Sequence, residues 1–151
     1  MAKRKEYVQR ERRYVQEYVN EKFPDREFVI YNVAVGPAPE ALAKAHPEVP
    51  LEHFRRWRLY ADAVVGWRGL LVLIETKLQD PKKAIGYLLQ YAPLVHQTPE
   101  LAAYMGRPLQ LRLVTPRQDP RVIQVAATYN IVVDIFYKPW VGEYLRERGL
   151  L

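Results

Sequence analysis

The chain has 151 residues, 49% of them hydrophobic and 26% charged, with a formal net charge of +6 and a pI near 9.5. That balance predicts one globular domain over residues 1–151, large enough for a hydrophobic core, and excludes a disordered chain. Cysteine and serine are both absent, which excludes disulfides, thiolate metal sites, thiol nucleophiles and Ser–His–Asp chemistry. The basic balance favours a polyanionic partner, and Lys3, Arg4, Lys5, Arg10, Arg12 and Arg13 concentrate it near the N-terminus. Twelve prolines and only three asparagines suit a heat-loving source. No apolar run reaches membrane-spanning length, and the basic start lacks the apolar core of a signal peptide, so a cytoplasmic protein is expected.

In chain order, residues 4–22 read as an amphipathic helix, with Tyr7, Val8, Tyr14, Val15, Tyr18 and Val19 clustered on one face. Phe23-Pro24 ends it. Glu27 to Val35 reads as a strand stopped by Gly36-Pro37. Residues 37–55 contain Pro37, Pro39, Pro47 and Pro50 and predict an irregular loop insertion, with a short helix at 39–45 and a role in touching a partner. Residues 57–65 and 69–77 are two strands joined by Gly66-Trp67-Arg68. The second is apolar without alternation from 70 to 74, as expected of a central strand covered on both faces. Asp80-Pro81 opens a helix running to about Tyr91, with Asp80 as N-cap. Leu109, Leu111 and Leu113 alternate in another strand. Asp119-Pro120 starts a short helix, Asn130 to Tyr137 is a strand, and a short helix closes the chain. The expected fold class is α/β (α+β): a mixed central sheet with an αβββαβ core and helices on both faces.

The two central strands carry the chemistry. Asp62 lies in Ala61-Asp62-Ala63-Val64, where an unpaired acid is expensive to bury. Twelve residues separate it from Glu75, which opens Glu75-Thr76-Lys77 at the end of the apolar strand. Alternation puts Arg58, Tyr60, Asp62 and Val64 on one face, and Leu71, Leu73, Glu75 and Lys77 on one face of the next strand. If the hairpin aligns those faces, the two carboxylates converge beside an ammonium group, a site for a hard cation and for metal-assisted phosphodiester hydrolysis. A structural Asp–Lys or Glu–Lys cross-strand pair is the alternative.

Glu11 sits near the centre of the first helix's apolar face, either paired with a cation such as Arg4 or Lys22, or aimed at a metal site. Lys82 and Lys83 occupy the first turn of a helix, where the dipole disfavours cations, so they either hold a phosphate or lie exposed. His46, His53 and His96 have no metal-ligand spacing, and Trp57, Trp67 and Trp140 are expected in core or interface positions.

These residues resemble the PD-(D/E)xK nuclease superfamily. The matching features are Asp62, the gap to Glu75-Thr76-Lys77, and the α-β-β-β-α-β order, together covering roughly residues 5–115. Glu11-Arg12-Arg13-Tyr14-Val15 with Tyr18-Val19 looks like the first helix of archaeal Holliday junction resolvases. The resemblance implies a restriction-endonuclease-like fold and a DNA endonuclease with a preference for branched or recombining DNA. It implies Asp62, Glu75 and the Thr76 carbonyl as ligands of Mg²⁺ or Mn²⁺, Lys77 as the group orienting water and steadying phosphate charge, and Glu11 as an accessory acid. Arg12, Arg13, Arg58, Lys82 and Lys83 are the expected phosphate contacts. A homodimer is expected, no membrane, and RNA stays open beside DNA. The sequence departs from the family in having Ala61 before Asp62, a longer 37–55 segment, and Tyr87…Tyr91 where exonuclease branches carry Gln…Tyr. A non-catalytic nucleic-acid-binding or assembly subunit with the same fold is the competing reading.

Overall fold

The computed structural model describes residues 2–151, with side chains from Arg4 onward; Lys3 of the basic cluster lies outside the described side chains. The tyrosine–valine stripe winds into helix α1 (Ala2–Lys22), which leads to strand β1 (Phe28–Val35). Two short helices, α2 (Pro39–Ala45) and α3 (Leu51–Arg56), fill the proline-rich insertion. Strands β2 (Leu59–Trp67) and β3 (Leu70–Thr76) form the central hairpin. Helix α4 (Lys82–Tyr91) and two 3-10 segments (Ala92–Gln97 and Pro99–Tyr104) cross to β4 (Leu109–Thr115). Helix α5 (Pro120–Thr128), strand β5 (Ile131–Ile135) and helix α6 (Pro139–Glu147) follow.

The sheet runs in the order β1-β2-β3-β4-β5. Its first three strands are antiparallel and its last three parallel, because the β3–β4 and β4–β5 connections carry crossover helices. The expected mixed α/β sheet with helices on both faces is therefore present. One core packs α4 and α5 against Leu71, Leu73 and Leu113. The other packs Tyr14, Tyr18, Val141 and Leu145 of α1 and α6 against Val72, Ile74 and Val114. Strand β3 lies between the two, which explains its unbroken apolar run: residues 71–74 are buried on both faces. Each such side chain contributes roughly 1.5–3 kcal/mol of burial. Among the described residues no helix is long and apolar enough to cross a membrane.

Several local expectations change. The hairpin turns at Arg68-Gly69, not at Gly66, because those two residues take the positive φ angles (48° and 77°) that a tight two-residue connection needs. Gly66 stays within β2, where the Phe28 ring covers it so closely that a Cβ would lie 2.1 Å from a ring carbon. Asp80 does not cap α4. It adopts a left-handed φ of 54° and pairs with Lys83, whereas a capping residue needs an extended backbone. Asp119 does cap α5, accepting from the backbone N–H groups of Arg121 and Val122. The insertion is more ordered than expected, since it holds the second helix α3, whose sequence carries no strong period.

Candidate active site

The site forms at one rung of the β1–β2 ladder. Residues on either side pair in a constant register, Tyr31 with Ala63 and Val33 with Ala61. Asn32 and Asp62 face each other between those pairs, and the ladder opens there. Asn32 has a φ of 52°, rare for a strand residue other than glycine. Both strands exchange faces at this rung. Val29, Tyr31, Ala63 and Val65 belong to the core beneath α1, while Val33, Val35, Leu59 and Ala61 belong to the core beneath α4. Simple alternation through β2, which placed Tyr60, Asp62 and Val64 on one face, therefore fails at Asp62. The paired exchange keeps the register and leaves Asp62 at a kink.

The β2–β3 ladder also stops beside it, at Ala63–Ile74. Beyond that point two carboxylates take over from the ladder. Asp62 Oδ2 accepts the Thr76 backbone N–H at 2.8 Å and the Thr76 hydroxyl at 3.0 Å. Glu75 Oε1 accepts the Asp62 backbone N–H at 3.1 Å. Among the described residues Asp62 Oδ1 and Glu75 Oε2 accept nothing, and neither is sealed off. Among the described residues Arg112 Nε is the single fully buried side-chain atom without a partner. Glu11 approaches from α1, where its Oε1 accepts the Tyr7 hydroxyl at 2.7 Å and the Leu78 N–H at 3.3 Å.

Burial raises the pKa of all three acids. Glu75, only 3% exposed, is pushed up to about 9, chiefly by desolvation and further by the negative charges of Asp62 and Glu11. The Lys77 charge acts in the opposite direction on all three. The Lys77 Nζ sits 5.3 Å from the centre of the Tyr87 ring, and Tyr87 stacks on Tyr91. The buried Tyr91 phenol is raised by desolvation and then by the charges of Glu75 and Asp62. Among the described residues no Lys or Arg forms a salt bridge with Glu11, Asp62 or Glu75, so neither the cross-strand pair nor the Glu11 ion pair forms.

A cleft of about 440 Å³ opens between α1 and the kinked rung, bordered by Glu11, Arg12, Gln16, Tyr31, Asn32 and Asp62. Arg12 thus reaches the cleft. The other expected phosphate contacts do not gather there. Arg13 pairs with Glu17 and stacks over Trp140. Arg58 borders a separate groove with Trp57 and Phe54. Lys82 lies by Arg121 and Val125 of α5, and Lys83 pairs with Asp80. Trp67 donates to Asp25 and Trp140 to Glu17, as packed indoles do, while Trp57 is 67% exposed, so of the two placements expected, core or interface, the core is not its place. Sequence reasoning missed Asn32, Gln16 and the Tyr87–Tyr91 stack. The signal for Asn32 was its presence in a valine- and tyrosine-rich strand, where asparagine is disfavoured.

Among the described residues no three His, Cys, Asp or Glu side chains form a ready-made metal cluster. A hard divalent ion does not require one. Mg²⁺ is commonly held by one or two carboxylates and several waters. The buried Glu75 and the half-buried Asp62, each keeping a free oxygen and neither salt-bridged among the described residues, fit that demand. Comparison of the chain with protein-family models, with curated proteins and with solved structures finds no match.

Proposed function

We propose that this protein is a metal-dependent deoxyribonuclease of the PD-(D/E)xK type, with a restriction-endonuclease-like fold. The observation that carries the reading is the Asp62–Glu75 pair. Glu75 is buried and Asp62, on the adjacent strand, is half-buried and borders the cleft, and among the described residues neither acid has a salt bridge. Burying such charge is unfavourable unless a cation or protons compensate it.

Asp62, Glu75 and the Thr76 carbonyl would hold Mg²⁺ or Mn²⁺, which when bound supplies a polarised phosphate and a more acidic water. Lys77 steadies negative charge developing on the phosphate oxygens. Glu11, fixed by Tyr7 and the Leu78 N–H, orients water at the cleft side of the pair. Hydrolysis forms one P–O bond from water and breaks the ester P–O bond, with a proton passing to the departing oxygen. Arg12 is placed to hold a flanking phosphate without reading sequence.

The test is cleavage of branched, single-stranded and duplex DNA, with RNA alongside, in Mn²⁺ or Mg²⁺. The expected result is metal-dependent cutting that Asp62→Ala abolishes. Absence of cutting on every substrate, or an Asp62→Ala variant as active as wild type, overturns the catalytic reading. A second reading draws on the same hydrogen bonds: Asp62 and Glu75 cap each other's strands, which a non-catalytic nucleic-acid-binding subunit would also need. Calorimetric titration with Mn²⁺ separates the two, since only a metal site loses its heat signal in Glu75→Ala.

A further inference from the structure

Asn32 faces Asp62 across the open rung, and its side chain is exposed with no hydrogen bond among the described residues. Its left-handed backbone would be met at least as well by glycine, so the amide is not needed for the turn itself. On the opposite wall of the cleft, one turn along α1 from Arg12, stands Gln16, also exposed and without a protein partner among the described residues. Tyr31 borders the cleft between these walls as a partly buried aromatic surface. Two amides, the Tyr31 ring and one arginine thus line the approach to the Asp62 carboxylate, together with Tyr7 and Glu11.

That set matches one nucleotide. Amides hydrogen-bond base edges, an aromatic ring packs against a base, and a guanidinium pairs with phosphate. The volume of about 440 Å³ lies in the range of small-ligand sites and admits one such unit. A base inside a duplex is covered on both faces and must leave its stack to enter a pocket, at a cost of about a few kcal/mol that is least for an unpaired base. We propose that the cleft between α1 and the Asn32–Asp62 rung binds a single unpaired nucleotide beside the phosphate to be cut, with Asn32 and Gln16 hydrogen-bonding it from opposite walls. The inference rests on the nuclease reading for the phosphate at Asp62, and it narrows the substrate class to single-stranded or branched DNA.

Binding is measured by fluorescence anisotropy in EDTA, with labelled single-stranded, branched and fully paired oligonucleotides of one sequence. Wild type binds the unpaired substrates more tightly. Asn32→Gly, which keeps the left-handed backbone, and Gln16→Ala each weaken binding to them by about tenfold, the loss expected for one hydrogen bond, and leave duplex binding unchanged. Equal affinity for paired and unpaired DNA overturns the proposal, as do variants that bind unpaired DNA like wild type. Gln16 is an exposed helix residue, so its variant decides the matter alone if Asn32→Gly melts early. Because no metal is present, this failure is distinct from failure of the nuclease reading, which appears as wild-type protein that cuts nothing in Mn²⁺.

Discussion

Glu75 accepts the backbone N–H of Asp62 at 3.1 Å, while Asp62 accepts the N–H of the residue next to Glu75 at 2.8 Å. Each carboxylate thus replaces a ladder bond that its neighbour's strand has lost. The exchange occupies one oxygen of each acid, and Asp62 borders the cleft. It also holds two ionisable acids close together in a poorly solvated place, which makes the pair sensitive to protons, cations and substitution.

Asp62→Asn and Glu75→Gln keep an accepting oxygen and remove the acid whose ionised form would hold the metal. The expected outcome is a metal-free protein that melts at or above the wild-type temperature but has lost Mn²⁺-dependent cleavage by at least about 100-fold. Thermal melting in EDTA and cleavage rates in Mn²⁺ check this. A variant that unfolds early would assign the acids to the fold instead.

The metal-free protein should lose stability as pH rises. Glu75 holds its proton up to about 9 when folded but releases it near 4.5 when unfolded, so the native state binds more protons between those values. Its contribution is full below pH 4.5 and gone above about 9. The raised Asp62 and Glu11 act with the same sign. The slope from one retained proton is at most about 1.4 kcal/mol per pH unit. The exposed acids held low by arginine or indole partners, Asp25 and Glu27, change stability only below their ordinary range and do not overlap this window. Melting in EDTA from about pH 5 to 9 should show the fall, and Glu75→Gln should flatten it. Mn²⁺ at about 100 times its Kd should restore about 2.7 kcal/mol at the alkaline end. A melting temperature that climbs across the window would count against the arrangement.

Lys77→Met keeps much of the side chain's length while removing its charge. Cleavage should fall by about 100-fold or more, because charge on the phosphate loses its partner. Binding of Mn²⁺, followed by calorimetry, should persist. Loss of metal binding together with activity would make Lys77 a structural residue instead of one that meets the phosphate.

Tyr18→Phe tests the packing of α1 on the strands farther from the site. Its hydroxyl donates to Asp134 at 2.7 Å and accepts from Arg112 at 3.1 Å, linking α1 to β4 and β5. Removing it leaves a buried arginine, already with one unpartnered nitrogen, short of an acceptor. Denaturant unfolding should show a loss of about 1–3 kcal/mol with cleavage at permissive temperature unchanged.

Most elements were legible in the chain because they have local causes. The tyrosine–valine period marked α1, the unbroken run at 70–74 marked a strand covered on both sides, and Asp119-Pro120 marked a capped helix start. The failures have local causes too, of a kind that periodicity does not reveal. Asp80 resembles a cap in sequence but takes a left-handed backbone, and α3 is a helix of only six residues with no apolar stripe to announce it.

The candidate site divides along the same line. Asp62, Glu75 and Lys77 stood out in sequence because charges near apolar strand residues violate a local pattern. Nothing local said that β1 and β2 would exchange faces together at residues 32 and 62, since that depends on two strands 30 residues apart sharing one kink. The amino-acid sequence by itself determined which segments become helix and strand and which acids are out of place. Tertiary structure alone decided that Glu11, Asn32 and Gln16 share a cleft with Asp62, while Arg13, Arg58, Lys82 and Lys83 do not. The reason is physical: a residue's face is set by its own backbone, but what it meets there is set by packing between elements distant in the chain.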